Sequence, residues 1–367
     1  MQPIKLTFLS VLISLFCLSA CKEGLVGPDP DRFIWPVSAP ESQGLDSRLL
    51  DSAGVMAEKM GYVDGLLVIR NGFLVSERYF NGYGPFTPHN LKSVSKSFLS
   101  VAAGKALGQG FIPGLDERVL DYFPDYVYPG MDERKYDITI RHLLTMQMGI
   151  AAEADNNYQL YSEIYHSGNW IKTTLELPLL FDPGNGMRYN TFETHLLSVI
   201  ITRATGKSTR AYAQDNIFDQ MGIDVDQWEK DPQGYYFGGN NMYFTPREMA
   251  VLGLLYLSQG KINGVEVISP EWIGLSITRT RPADVPEWGV FTDYNYGYLW
   301  WLGKINGYTL YMALGYGGQT VLVFPQLNLI VVTTANPDIP PDVDQERPIL
   351  ELVSRYVLPA VRIRMAE

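Results

Sequence analysis

Ser93 and Lys96 are the two residues of this sequence whose types and spacing best suit nucleophilic chemistry. They lie three positions apart in Ser93-Val94-Ser95-Lys96, and residues three apart share one face of a helix. A serine hydroxyl is a poor nucleophile until a neighbouring base takes its proton. The helix predicted from about residue 92 to 107 is strongly apolar. Because burial lowers the pKa of a lysine, Lys96 can serve as that base.

The S-x-x-K spacing occurs at three places, and only its surroundings distinguish them. The match at 19–22 lies in the apolar N-terminal segment, and the match at 258–261 spans a predicted helix end and turn. Ser93 alone stands at the start of a long apolar helix, where free backbone N–H groups favour developing negative charge. We therefore predict that Ser93 is the nucleophile.

Other familiar catalytic arrangements have little support. The sequence contains no G-x-S-x-G, no H-E-x-x-H and no P-loop. Its four histidines are isolated along the chain, so neither a Ser-His-Asp triad nor a metal centre is indicated, and no cofactor is expected. The net charge of −11 would repel phosphate backbones, which makes nucleic acid an unfavourable partner.

The elements that must position Ser93 follow the order helix, hairpin, helical middle and strand-rich end. The spacing predicts a helix over 46–60 and a hairpin of strands 65–70 and 73–80 around Asn71-Gly72. Helical patterns prevail from 138 to about 259, broken at Pro183-Gly184 and Gly238-Gly239. Aromatic or β-branched runs predict four late strands, over 294–301, 308–313, 320–324 and 329–334. A closing helix is predicted over 346–358.

Short turns between these strands predict a mainly antiparallel sheet. The fold class is therefore α+β, with a sheet built from both chain ends, flanking helices and an inserted helical lobe. The alternation of aromatic residues over 294–301 is interpreted as sheet packing, with one face as an alternative acyl pocket.

With these features the sequence resembles the serine β-lactamase-related hydrolases. That family includes class C β-lactamases, D-alanyl-D-alanine peptidases, family VIII esterases and nylon-oligomer hydrolases. The resemblance covers about 40–358 and is supported by the stretches 40–45, 140–146 and 243–250. It implies a β-lactamase/transpeptidase-like fold and an acyl-enzyme on Ser93, with neither metal nor organic cofactor.

The family's second motif, Y-x-N, is matched in part at 189–191. The resemblance implies that Tyr189 transfers protons beside Ser93, and that Asn190 contributes to substrate binding. Thr191 stands where most members have asparagine, a departure that resembles the nylon-oligomer hydrolase branch.

The third motif, K-T-G or H-x-G on a strand, corresponds to the glycine-rich segment 315–319. The resemblance implies that Tyr316, Gly317, Gly318 and Gln319 line the substrate site, with the N–H groups of Gln319 and Ser93 as the oxyanion hole. Tyr316 replaces the usual cation, which argues against efficient β-lactamase activity.

The N-terminus carries a separate signal. A short positive start precedes an apolar run over 6–18, too short to span a bilayer, which is typical of a signal peptide. Leu18-Ser19-Ala20-Cys21 resembles the lipobox of bacterial lipoproteins. This predicts a signal peptide over 1–20, lipidation of Cys21, and a proline-rich tether over 21–40.

The remaining domain boundaries follow from the same pattern. The hydrolase domain is predicted over 41–360, with a sheet lobe at about 41–92 and 290–360 and a helical lobe at about 93–289. The expected location is the bacterial cell envelope, with a lipid anchor at the periplasmic face or the outer membrane or cell surface.

These observations predict a serine hydrolase for small ester or amide substrates. One alternative is a β-lactamase or a D-alanyl-D-alanine carboxypeptidase. Another is a surface lipoprotein that binds ligands on the same scaffold without catalysis. The natural substrate, the oligomeric state and the choice between Lys96 and Tyr189 as the acylation base are left open.

Overall fold

The structure, a computed structural model, describes residues 32–155, 158–280, 288–340 and 343–362. The predicted signal peptide, Cys21 and most of the predicted tether lie outside these residues. Within these four ranges no helix combines the length and the apolar character that a membrane span requires.

A seven-stranded antiparallel sheet forms the centre of the fold, in the order β2-β1-β11-β10-β9-β8-β7. The N-terminal hairpin therefore lies beside the last strand of the chain, which confirms the predicted α+β fold with a sheet built from both chain ends. Two further pairs, β3-β4 and β5-β6, form small separate sheets. The strands are β1 (Val63–Arg70), β2 (Phe73–Tyr79), β3 (His89–Asn90), β4 (Tyr243–Phe244), β5 (Lys261–Ile262), β6 (Val265–Glu266), β7 (Thr292–Tyr296), β8 (Trp301–Ile305), β9 (Tyr308–Gly315), β10 (Gln319–Phe324) and β11 (Leu329–Ala335).

The helices pack on this sheet and on one another. α1 packs against β1 and the C-terminal helical segment, α9 packs on β1, β10 and β11, and α2 packs on α6. The helices are α1 (Ser47–Met60), α2 (Val94–Gly108), α3 (Ile140–Leu144), α4 (Gln159–Tyr165), α5 (Trp170–Glu176), α6 (Thr191–Thr205), α7 (Thr209–Ala213), α8 (Asp219–Met221), α9 (Pro246–Leu257), α10 (Pro270–Ser276), α11 (Glu346–Leu352) and α12 (Leu358–Ala360).

Local sequence explains where α9 begins. Thr245 and Glu248 form a reciprocal capping box, in which each side chain accepts a hydrogen bond from the other residue's backbone N–H. Pro246 occupies the first turn, where its missing N–H costs nothing. Farther along, Gly253 lets α9 lie close to the sheet, since an added Cβ would stand 2.7 Å from Ile330 Cγ2.

The predicted strand over 294–301 is wrong in its second half. β7 ends at Tyr296, the chain turns, and β8 begins at Trp301. Gly297 lies so close to Ser276 that an added Cβ would be 2.2 Å from its carbonyl oxygen, and Leu299 adopts a left-handed φ of 62°. Tyr298 and Trp300 are buried in the core from positions in this turn. The alternation of aromatic residues here is therefore not that of a strand.

The closing helix is also less regular than the spacing predicts. α11 ends at Leu352, and the next residues, Val353–Val357, form a π-helical turn before α12.

Candidate active site

Ser93 occupies the position immediately before α2. The Oδ1 atom of Asn90 accepts the N–H of Lys92 at 2.9 Å. Lys92 adopts a left-handed φ of 48°, an unfavourable conformation for a residue with a side chain. The chain then enters a helix whose residues are almost all buried, so the backbone around Ser93 is firmly held.

Lys96 lies one turn into α2 and is only 1% exposed. Its Nζ atom makes three hydrogen bonds, to Ser93 Oγ at 2.8 Å, to Thr191 Oγ1 at 2.9 Å and to the Gly239 carbonyl oxygen at 2.8 Å. Burial lowers the pKa of Lys96 to about 7, and the negative charge of Glu153 opposes part of this fall. Near neutral pH, a large fraction of Lys96 is therefore the free amine.

Tyr189 is the third member of the cluster. Its ring centroid lies 4.9 Å from the Nζ atom of Lys96, and its hydroxyl is hydrogen-bonded to Ser93. The ring stacks on Trp301 with centroids 5.7 Å apart and meets Tyr296 edge-on. Burial raises the pKa of Tyr189 well above 10, helped by Glu153, while the hydrogen bond with Ser93 opposes this rise. The hydroxyl thus stays protonated at neutral pH.

Asn190 is the N-cap residue of α6, and its side chain is hydrogen-bonded to the backbone there. Its Oδ1 atom accepts the N–H of Phe192 at 2.9 Å, which caps the helix, and its Nδ2 atom donates to the Ala151 carbonyl oxygen at 2.9 Å. Asn190 is fully buried, and both ends of its amide are engaged in the fold.

The contacts of Lys96 with Thr191, the third position of the second motif, and with Gly239 were not predicted from the sequence. Gly239 packs so closely on α6 that an added Cβ would be 2.2 Å from Thr194 Oγ1 and 2.7 Å from the Thr191 carbonyl oxygen. Only glycine lets this backbone approach near enough for its carbonyl to reach Lys96. The Gly238-Gly239 pair in the sequence was the available signal, but it indicated only a break between helices.

The glycine-rich turn of the predicted third motif lies beside the start of α2. An added Cβ at Gly315 would be 2.3 Å from the Leu91 carbonyl oxygen. Gly317 and Gly318 take left-handed φ values of 84° and 95°. Tyr316 is 48% exposed at this turn and interacts electrostatically with Tyr158.

The backbone and side-chain contacts of this turn limit what its groups can do. The N–H of Gly317 donates to Glu346 Oε1 at 2.7 Å, and the N–H of Gly318 donates to the Gly315 carbonyl oxygen at 3.3 Å. The Gln319 side chain binds the backbone of Ala335 with both amide ends, at 2.5 Å and 3.1 Å. Gln319 thus fixes β10 to β11, and the role of its N–H in an oxyanion hole stays a prediction.

Two buried carboxyl groups lie next to the cluster and were not predicted. Glu153 Oε2 accepts the N–H of Thr191 at 2.6 Å, and the Glu153 N–H donates to the Tyr189 carbonyl oxygen at 3.0 Å. Glu193 Oε2 accepts the N–H of Met148 at 3.2 Å, and burial raises the pKa of Glu193 well above its usual range. Burial thus favours the neutral form of this carboxyl. Nothing in the sequence distinguished these acids from other loop and helix acids.

Within the described ranges, no group of three or more His, Cys, Asp or Glu side chains is placed to hold a metal ion. His195, one helical turn beyond Thr191, pairs with Asp231 at 2.9 Å between the rings of Trp170 and Phe237. Both side chains of this pair are fully buried.

Comparison with known proteins identifies the family and the fold of this chain. Residues 54–354 match the Beta-lactamase family, so the chain belongs to this family of serine hydrolases. The seven-stranded antiparallel sheet with its helices is the β-lactamase/transpeptidase-like fold.

One sequence relative and two solved structures show what this chain is similar to. The chain is 26% identical to the 6-aminohexanoate-dimer hydrolase of Paenarthrobacter ureafaciens over 299 residues, which cover 73% of this chain and 71% of the relative. The structure of EstCE1, a hydrolase with promiscuous acyltransferase activity, aligns with a TM-score of 0.69 at 17% identity, covering 86% of this chain and 99% of the other. The octameric penicillin-binding protein homologue from Pyrococcus abyssi aligns with a TM-score of 0.64 at 19% identity, covering 84% and 76%.

Proposed function

We propose that this protein cleaves small, neutral esters or amides through an acyl-enzyme on Ser93, with Lys96 and Tyr189 as the proton-transfer groups. The observation that carries the proposal is the contact between the buried Nζ atom of Lys96 and Ser93 Oγ at 2.8 Å. A buried lysine is costly to a fold, so its retention beside a serine supports a catalytic task.

The partners of Lys96 support its role as the base. A neutral amine has two N–H groups and one lone pair. Thr191 Oγ1 and the Gly239 carbonyl oxygen can accept the two N–H groups, which directs the lone pair at the hydroxyl of Ser93. As Ser93 Oγ attacks the substrate carbonyl carbon, its proton passes to Lys96.

The remaining proton steps involve Tyr189. The substrate carbonyl oxygen takes the negative charge of the tetrahedral intermediate, and we assign its stabilisation to the N–H groups of Ser93 and Gln319. Tyr189 gives its proton to the leaving alcohol or amine and recovers one from Lys96. Water then attacks the acyl group, its proton returns through the same residues, and Ser93 is released with its hydroxyl restored.

The surroundings of the site favour uncharged substrates. Tyr316 offers a neutral hydroxyl where a cation would bind a carboxylate. Its neighbour Tyr158 interacts with the acids Glu153 and Glu346. Tyr296 and Trp301 pack beside Tyr189 and can line an apolar acyl pocket. The names of two relatives, a 6-aminohexanoate-dimer hydrolase and a hydrolase with acyltransferase activity, support the same class of chemistry.

The cellular location is part of the proposal. The lipobox-like Leu18-Ser19-Ala20-Cys21 supports a lipoprotein held at the cell envelope through a lipid on Cys21.

A fluorophosphonate probe tests the proposed function. We expect labelling of Ser93, located by mass spectrometry, and loss of both labelling and turnover of p-nitrophenyl butyrate in Ser93→Ala. Ser258→Ala is the matched control, because Ser258 belongs to another S-x-x-K match and should be dispensable. Normal turnover by Ser93→Ala would exclude this mechanism, and absence of labelling in the unmodified protein would favour a binding scaffold.

A further inference from the structure

Glu153 connects directly to the residues that hold Lys96. Its Oε2 atom accepts the N–H of Thr191 at 2.6 Å, and the hydroxyl of that same threonine accepts a hydrogen bond from Lys96 at 2.9 Å. Its own N–H donates to the Tyr189 carbonyl oxygen at 3.0 Å. One buried residue thus contacts the segment that carries both Tyr189 and Thr191.

The side chain of Glu153 lies at the N-terminus of α6. Thr191 is the first residue of α6, and a helix N-terminus stabilises negative charge. The 2.6 Å contact is typical of a charge-assisted hydrogen bond. Glu153 is 9% exposed, so water screens its charge only weakly.

The groups that face Glu153 are mostly tyrosines. Its charge acts on the cation Lys96, and burial raises the pKa of the neighbouring Glu193. The titratable groups that feel its charge are Lys96 on α2, Tyr158 and Tyr161 at α4, Tyr189 and Glu193 at the start of α6, and Tyr296 on β7.

We propose that Glu153 is a positioning residue of this site, which orients Thr191 toward Lys96 and supplies the negative charge that sets how readily Lys96 and Tyr189 release their protons. The inference rests on the proposed function, because it gives the pair Lys96–Tyr189 the proton-transfer role. Glu153 itself touches neither the substrate nor the reacting atoms.

The sign of the effect is the same for both partners. A negative charge favours the protonated form of a lysine and of a tyrosine, so Glu153 raises the pKa of Lys96 and that of Tyr189. Replacing it with a neutral residue should lower both. Both limbs of the pH–rate profile should then move to lower pH. The acid limb reports the loss of a proton from Lys96, and any alkaline limb reports the ionisation of Tyr189.

Glu153→Gln is the test variant, because glutamine keeps an acceptor for the Thr191 N–H and removes only the charge. We expect the acid limb of kcat/KM to fall by about one pH unit, so that activity at pH 5 rises about tenfold relative to the variant's own plateau. Glu193→Gln is the matched control. It replaces a neighbouring buried acid whose neutral form is favoured by burial, so both limbs of this variant's pH–rate profile should stay in place.

Two further measurements keep the result decisive. If Glu153→Gln does not fold, Glu153→Asp retains the charge with a shorter reach. In Glu153→Asp, the acid limb of the kcat/KM profile should stay in place while the plateau value of kcat/KM falls. The pH dependence of Ser93 labelling by a fluorophosphonate reports the same protonation without any substrate.

The proposal would be overturned if the limbs of the pH–rate profile did not move in Glu153→Gln. It would also be overturned if Glu193→Gln or Glu153→Asp shifted them as far as Glu153→Gln does. Glu153 would then have a structural role. Failure of the proposed function looks different, since Ser93 would then remain unlabelled at every pH in the unmodified protein.

Discussion

The Nζ atom of Lys96 lies 2.8 Å from the Oγ atom of Ser93, and both atoms are held by a helix that is nearly all buried. Burial lowers the pKa of Lys96, which suits this contact to the activation of Ser93 that we propose. The following predictions test that relationship and the groups around it.

The pH dependence of turnover should report the ionisation of Lys96. The folded-state pKa of about 7 lies below the ordinary 10.5, so the amine is mostly protonated below pH 7 and mostly free above it. We expect kcat/KM for p-nitrophenyl butyrate to rise with pH through about 7. Lys96→Arg should lose at least a hundredfold, because arginine stays protonated.

Lys105→Arg provides the comparison for that experiment. Lys105 lies on the same helix, but its Nζ atom donates to the Val267 carbonyl oxygen. Its replacement should leave the profile in place, whereas a profile flat from pH 5 to pH 8 in the unmodified protein would contradict the role of Lys96.

Gly239→Ala should damage both stability and activity. The new Cβ would be 2.2 Å from Thr194 Oγ1 and 2.6 Å from Thr191 Cγ2, so the backbone must move away from α6. Overpacking of this kind costs about 1–3 kcal/mol. The Gly239 carbonyl would leave Lys96, and we expect kcat/KM to fall at least tenfold. Thermal unfolding and steady-state kinetics measure the two effects.

Gly274→Ala in α10 is the control for the glycine substitution, since an added Cβ there meets nothing within 4 Å. It should be neutral or slightly stabilising. Native-like kinetics in Gly239→Ala would mean that its carbonyl is not needed by Lys96.

Tyr316→Lys should improve the turnover of β-lactams relative to neutral esters. Penicillins and cephalosporins carry a carboxylate near the scissile bond, and a charge-assisted hydrogen bond is about twice as strong as a neutral one. The gain should be about 1–2 kcal/mol, or roughly tenfold in kcat/KM for nitrocefin. Tyr128→Lys adds the same charge at another exposed tyrosine and should change little. Efficient nitrocefin turnover by the unmodified protein would instead support a β-lactamase.

Cys21→Ser should abolish membrane attachment. The lipobox-like segment predicts that lipid is transferred to this thiol, and serine cannot accept it by the same chemistry. We expect an unprocessed or soluble product in detergent partitioning and mass spectrometry. Cys17→Ser, within the predicted signal peptide, should be processed normally. Retention of a diacylglycerol adduct in Cys21→Ser would refute the lipoprotein prediction.

The sequence predicted the parts of the fold and of the site that local patterns encode. Ser93 and Lys96 share one helix, so their contact follows from spacing alone, and hairpin signals and strand runs led to the antiparallel sheet. The contacts of Thr191, Gly239 and Glu153 with the cluster depend on segments far apart in the chain. No local pattern encodes such contacts.

The errors have a similar physical origin. The aromatic alternation over 294–301 is compatible with a strand, and only the close approach of Gly297 to Ser276 ends it. The role of Asn190 in substrate binding stays a prediction, and its side chain accepts the N–H of Phe192 at the start of α6.

The position of β1 in the sheet has a consequence for how the chain acquires its structure. Val63 in β1 pairs with Ala335 in β11, about 270 residues later. The N-terminal hairpin emerges early from the ribosome and has no partner for one edge until nearly the whole chain has followed. Pairing across such a distance slows folding and leaves an exposed strand edge prone to aggregation. A chain truncated before β11 should therefore misassemble at its N-terminal hairpin, because β1 would lack its partner strand.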